Sequence, residues 1–205
     1  IHKLLTRKSM FERKAAGTAN NRQIVAANID VVFICMSLNN DFNLRRLERY
    51  LAIAWDSLAI PVVVLTKADL CEQLEQRLAE VSSVAIGIDV IQTSFLTDEG
   101  ISELKGLIGE GKTAACIGSS GVGKSTLINR LIGHEVLQTS GIRDDDKGRH
   151  TTTHRQLLML PDNGVIIDTP GMRELQIESA DLSSSFADIE ELATLCRFND
   201  CTHKS

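Results

Sequence analysis

The stretch GSSGVGKST, Gly118 to Thr126, places three glycines, three hydroxyls from serines among them and one lysine where a chain could wrap an anion. Glycines let successive backbone N–H groups turn inward, and a helix that begins at the end of such a loop adds partial positive charge. The spacing Gly118-x-x-x-x-Gly123-Lys124-Ser125 is that of a loop that cradles a nucleoside triphosphate. Ser119, Ser120, Gly121 and Val122 supply the intervening backbone, and Thr126 continues into the helix. Lys124 is expected to reach the β- and γ-phosphates, and the Ser125 hydroxyl to coordinate Mg²⁺. A glycine-rich turn without function is the competing reading. The context disfavours it: Thr113–Ile117 reads as a strand running into the loop, and Lys124–Ile132 as the helix after it.

A phosphate loop does not separate ATP from GTP, so the base must be read elsewhere. Thr66-Lys67-Ala68-Asp69 follows the apolar run PVVVL and resembles the Asn-Lys-x-Asp element with which GTPases recognise guanine. The Asp69 carboxylate would accept from guanine N1–H and N2–H₂. Adenine offers a lone pair and no amino group there, so the carboxylate also selects by repulsion. Lys67 would lie along the base plane. Farther on, Thr93-Ser94 ends another strand, where GTPases place a backbone N–H on guanine O6. Thr66 stands where an Asn is usual. That replacement removes an amide donor that ties the base loop to the phosphate loop, and it predicts weaker affinity with the base assignment unchanged.

Two more elements fit a switch. Asp168-Thr169-Pro170-Gly171 supplies Asp-x-x-Gly after a strand, with Asp168 acting on Mg²⁺ through water and the Gly171 N–H facing the γ-phosphate. Between it and the phosphate loop lies GRHTTTH, in which Thr152 could close over Mg²⁺; a merely polar loop is the alternative. The residue after Gly171 is Met172, where Ras-like enzymes carry a water-orienting glutamine. A thioether does not polarise water, so slow intrinsic turnover is expected. His150 is the candidate side chain to complete the site, against the reading of an unemployed loop histidine. The motifs run base, base, phosphate, switch, switch. This is a circular permutation of the ordinary GTPase order, and it leaves the strand-end crevice intact.

The elements that must position these residues alternate between apolar runs and amphipathic segments, the pattern of βα units around a largely parallel sheet. Strands are expected at Ile29–Ser37, Pro61–Leu65, within Ala85–Thr93, at Thr113–Ile117, Gln156–Leu160 and Val165–Asp168. Helices are expected at Leu44–Leu58, Glu72–Val84, Ile101–Ile108, Lys124–Ile132 and Ala180–Leu195. Pro161–Gly164 (PDNG) carries hairpin-turn residues. Leu137–His154 loses hydrophobic period and reads as a mobile loop.

At 205 residues and 43% hydrophobic content, the chain can bury one main core with room for an appendage. No apolar run approaches the roughly 20 residues of a membrane helix. Five cysteines are an odd number for a disulfide framework, and Cys35 and Cys116 sit inside strand-like runs, which favours a reducing, cytoplasmic setting. The net charge of −5 disfavours nucleic-acid binding by the whole surface. Any RNA contact must be local. The start of the chain, with Lys3, Arg7, Lys8, Arg13, Lys14 and Arg22 against Glu12, is either such a patch or a solvated basic tail. The chain opens on Ile1 instead of Met and stops in cysteine-bearing sequence, which reads as a fragment of a longer protein.

Together QIVAANID, LERYL, TKADL, GSSGVGKSTLIN, GRHTTT, DTPGMRE and CRFNDCTH resemble the ribosome-small-subunit-dependent GTPase family known as RsgA or YjeQ, over nearly the whole chain. The resemblance implies a P-loop, Ras-like, circularly permuted α/β domain at 23–179, the trailing edge of an N-terminal OB-fold and a linker at 1–22, and the start of a zinc-binding helical domain at 180–205. It implies GTP and GDP as ligands, Mg²⁺ as cofactor, and the small ribosomal subunit and its rRNA as partners of a monomeric factor in late subunit maturation. Cys196, Cys201 and His203 match the first three ligands of the family's Zn²⁺ site, the fourth falling beyond Ser205. Three such ligands so close together suggest zinc without the family as well, while ordinary free thiols remain the plain alternative. The permutation sends the chain from Gly171 through Arg173 and Glu174 into the cysteine-bearing segment, a direct route from switch to C-terminal domain. Rival readings are an RNA-binding module with structural nucleotide, another permuted assembly GTPase and, least supported, an ATPase.

Overall fold

Strands that are apolar on both sides need cover on both faces, and the computed structural model supplies it for a six-stranded sheet. It describes residues 2, 6–14, 22–39, 41–139 and 156–168. Two short strands, β1 (Met10–Lys14) and β2 (Arg22–Ala27), come first, followed by β3 (Val31–Ser37) and helix α1 (Leu44–Asp56). Next come β4 (Ile60–Thr66), a 3₁₀ turn at Ala68–Leu70, α2 (Leu74–Val84), β5 (Asp89–Gln92) and α3 (Ile101–Ile108). β6 (Thr113–Ile117), α4 (Lys124–Ile132), β7 (Gln156–Met159) and β8 (Val165–Asp168) complete the described elements.

The main sheet runs β5-β4-β3-β6-β8-β7. All neighbours pair parallel except the hairpin β7–β8, so the expected mostly parallel sheet is present. Val32, Ile34 and Met36 of β3 pack with α1 and α2 side chains such as Leu47, Leu51 and Val81. The alternate residues Val31, Phe33 and Cys35 pack with Leu104 and Ile108 of α3 and Leu127, Ile128 and Leu131 of α4. The side-chain period of two thus sorts one strand between two cores. Each fully buried leucine or isoleucine contributes about 1.5–3 kcal/mol of transfer free energy.

Several boundaries tighten against expectation. The strand expected within Ala85–Thr93 is only Asp89–Gln92, because Ala85 ends α2 and Gly87 takes a positive φ in the turn. β3 begins at Val31, after Asn28 adopts a φ of 57°. The turn at PDNG forms, with Leu160 N donating to Gly164 O at 2.8 Å. β1 and β2 pair antiparallel outside the main sheet, a ribbon that hydrophobic periodicity does not mark. It docks through the buried Phe11 and through Met10 N, which donates to Ser57 O at 3.2 Å. The expected boundary between residues 22 and 23 falls after the first residue of β2. The helix expected at Ala180–Leu195 lies outside the described residues.

Candidate nucleotide site

Parallel strands end on one edge, so loops that follow β3, β4, β5, β6 and β8 share it. Chain order runs outward from β3 to β4 and β5, then returns to β6 on the other side and out to β8. The crevice between β3 and β6 is a topological switch point, where open α/β sheets bind ligands. The GSSGVGKST loop leaves β6 at this point.

The loop's shape comes from its backbone. Gly118 has φ +145°, and a Cβ added there would lie 2.4 Å from the Cys35 carbonyl oxygen on β3. Gly123, at φ +102°, caps the N-terminus of α4, and its added Cβ would meet the Phe95 ring at 3.1 Å. Both positions demand glycine, one for close approach to main chain and both for positive φ. Lys124 Nζ sits over the loop, donating to the Gly118 carbonyl at 2.8 Å and to the Ser119 carbonyl. Ser125 and Thr126 occupy the first turn of α4 and are partly buried. Asp168 is buried at the end of β8, in register with Cys116 of β6. Ser125 and Asp168 would supply hydroxyl and carboxylate oxygens, hard donors of the kind Mg²⁺ takes.

The base-side loop is held by side chains. Thr66 is fully buried, and its Oγ1 donates to the Val122 carbonyl of the phosphate loop at 2.6 Å. This corrects the expectation that a threonine here loses the tie between the two loops: a hydroxyl on a shorter side chain reaches the carbonyl directly. Lys67 takes the left-handed conformation at φ 59°, turning the chain so that Asp69 is exposed at the rim. Ala68 N donates to Thr93 O at 3.2 Å, and Thr93 N to Leu65 O at 2.7 Å. Thr93 and Ser94 are buried, so the two base-side segments form one block.

The fold thus brings together Thr66, Lys67, Ala68, Asp69, Thr93, Ser94 and Gly118 to Thr126 along one edge. His150, Thr152, Gly171, Cys196, Cys201 and His203 lie outside the described residues. Among the described residues no cluster of three metal-ligating side chains occurs, and no helix is long and apolar enough to cross a membrane. Three residues at the site escape a reading of the sequence. Arg130 of α4 holds the loop after β5 by donating to Phe95 O at 3.0 Å and pairing with Asp98 at 3.2 Å. Phe95 wedges against Gly123. Asp41, after β3, accepts a hydrogen bond from Ser119 Oγ. Their partners are distant in sequence, and no local pattern signals such contacts.

Beneath the loop, Cys35 and Cys116 are free and buried. Hydrogen bonding with Cys35 and burial together push the Cys116 thiol well above the usual cysteine range.

The chain is similar to known proteins in both sequence and fold. A family model described as RsgA GTPase matches residues 4–178. "Small ribosomal subunit biogenesis GTPase RsgA 2" of Lactiplantibacillus plantarum is 57% identical over 206 residues, covering 100% of this chain and 58% of the relative. This chain therefore spans about three-fifths of that relative's length. The crystal structure of YjeQ from Thermotoga maritima superimposes with a TM-score of 0.67 at 26% identity, covering 100% of this chain and 66% of the other. YloQ, described as a circularly permuted GTPase, shares the fold with a TM-score of 0.56 at 23% identity, over 98% and 71% of the two chains. With the strands that end at Thr66 and Gln92 ahead of its glycine-rich loop and that loop at the sheet's switch point, the chain belongs to the RsgA GTPase family.

Proposed function

We propose that this chain hydrolyses GTP to GDP and phosphate, and that it is the GTPase portion of a factor acting in late maturation of the small ribosomal subunit. The observation that carries the reading is the Thr66 Oγ1 to Val122 O hydrogen bond of 2.6 Å. It joins a guanine-type Lys-x-Asp loop to a phosphate cradle so that one nucleotide can span both. The name of the 57%-identical relative, a small ribosomal subunit biogenesis GTPase, supports the ribosomal role.

In this reading Asp69 selects guanine, Lys67 flanks the base, and the Ser94 segment meets O6. The backbone from Gly118 to Gly123 and the Lys124 ammonium bind phosphate oxygens. Ser125, Asp168 and Thr152 would hold Mg²⁺, which supplies charge neutralisation at the β- and γ-phosphates. The Gly171 N–H faces the γ-phosphate, and His150 positions water in place of a glutamine, because Met172 cannot. Residues 23–179 form the GTPase unit, 1–22 lead in from an OB-fold, and 180–205 begin a domain in which Cys196, Cys201 and His203 bind zinc. The protein works as a monomer in the cytoplasm.

Turnover measured on the full-length protein tests the proposal. GTP hydrolysis that is slow alone and rises by orders of magnitude with small ribosomal subunits is expected, with ATP failing to displace labelled GDP. Hydrolysis indifferent to subunits would favour an RNA-binding module with structural nucleotide.

A further inference from the structure

The turn between β3 and α1 belongs to none of the nucleotide motifs, yet it touches the phosphate loop. Ser119 Oγ donates to Asp41 Oδ2 across 78 positions of sequence. The same carboxylate oxygen pairs with an Arg46 guanidinium nitrogen at 3.0 Å, and that nitrogen also donates to the Asp41 carbonyl. The Asp41 and Arg46 side chains are 34% and 22% exposed, so water screens this pair less than a fully exposed one.

The turn is built to hold its carboxylate still. Asn39 Oδ1 accepts from Ser37 Oγ at 2.7 Å and from the Asp41 N–H at 3.1 Å. Phe42 N donates to Asn39 O at 3.0 Å, and the Arg77 guanidinium of α2 lies 4.3 Å over the Phe42 ring. Asn43 then caps α1 by accepting from Arg46 N at 2.9 Å. The first turn of α1 contains Arg45 and Arg46 and no acid, an arrangement the helix dipole disfavours. Asp41 offsets that charge and in turn is neutralised by it. The phosphate loop is the opposite kind of segment: Gly118, Gly121 and Gly123 all have positive φ, and glycines leave the chain many conformations to lose. A hydrogen bond to an ionised acceptor near the start of the loop removes some of that freedom before a ligand arrives.

We infer that Asp41 is a positioning residue of the nucleotide site: through Ser119 it holds the phosphate loop in the shape that presents N–H groups to phosphates, and Arg46 orients and neutralises it. This rests on the proposed guanine-nucleotide reading. It also links the base-reading half of the chain to the phosphate loop by a second route, independent of Thr66.

The test is equilibrium binding of fluorescent GDP and a non-hydrolysable GTP analogue to the full-length protein, with thermal midpoints measured in parallel. Asp41→Ala and Ser119→Ala are each expected to weaken both nucleotides about tenfold, the scale of one charge-assisted hydrogen bond. The double variant should be no worse than either single one, because both remove the same bond. Asp41→Asn keeps an acceptor for Ser119 and should recover most of the affinity, which a purely structural loss would not do. Unchanged affinity in Asp41→Ala, or additive losses in the double variant, would overturn the inference. Should Asp41→Ala fail to fold, Ser119→Ala against wild type carries the same test. If the wild-type protein itself binds no guanine nucleotide, it is the proposed function that fails.

Discussion

At the end of β4 the loop is held by a side chain: Thr66 is fully buried and reaches 2.6 Å across to the Val122 carbonyl. At the end of β6 the loop is held by the lack of one: Gly118 lies so close to the Cys35 carbonyl that a Cβ would sit 2.4 Å from it. The two rims of one crevice therefore tolerate change differently. A side chain that makes one hydrogen bond can be weakened by degrees. A backbone packed against backbone has no flexible group to give way, so a single methyl forces the strand or the loop to move.

The sharpest way to break that contrast is Gly118→Ala. It meets main chain at an unfavourable φ, at a cost of about 2–3 kcal/mol or more. A loss of nucleotide affinity beyond about 100-fold is expected by fluorescence titration. Near-normal binding would mean that the phosphate rim is as adaptable as the base rim. Asp69→Asn removes one ionised acceptor at the exposed base rim. GDP affinity should fall by about 10- to 100-fold, and the preference for GTP over ATP in competition should narrow. An unaltered preference would remove Asp69 from base selection.

Thr66→Val keeps the volume and deletes the hydroxyl. It leaves the Val122 carbonyl without that donor, at a cost of about 1–3 kcal/mol, so nucleotide affinity should drop roughly tenfold with a modest fall in thermal midpoint. If affinity holds while the midpoint falls, the tie between the rims serves stability alone. The smallest effect concerns pH. Cys116 has its pKa raised in the fold by its hydrogen bond with Cys35 and by burial, so the native chain keeps a proton that the unfolded chain releases near the free-cysteine value of about 8.5. Its contribution is full below that pH and is lost as pH rises above it. Denaturant midpoints from pH 7 to 10 should fall less steeply for Cys116→Ala than for wild type; equal slopes would dismiss the coupling.

Much of the site is legible in the sequence because phosphate and base recognition use residues close together along the chain. The loop at Gly118–Ser125, the element at Thr66–Asp69 and the strands and helices around them carry their own periodicity and glycine spacing, and the helix at Lys124–Ile132 matches its expected bounds to the residue. The β1–β2 ribbon is not legible, because MFERK and RQIVAA each put their apolar residues in one run beside charged or polar ones, with no clean alternation. The Asp41, Phe95 and Arg130 contacts are hidden for a different reason: each joins segments whose proximity exists only after the sheet has assembled. The expected loss of the tie at Thr66 fails on the same point. Asparagine's role there suggests that an amide is needed, and only the spacing of the β4 and β6 loops reveals that a hydroxyl suffices.

Local chemistry in the sequence determined which residues are candidates to bind phosphate and to tell guanine from adenine, and in what order the chain meets them. Those properties depend on side-chain type and on backbone freedom within a few residues. Tertiary structure decided how the halves are joined. Strand β6 returns beside β3, bringing Gly118 to Cys35, Val122 to Thr66 and Ser119 to Asp41. Contacts of that reach follow from the packing of a whole sheet between its helices, and no window of sequence contains them.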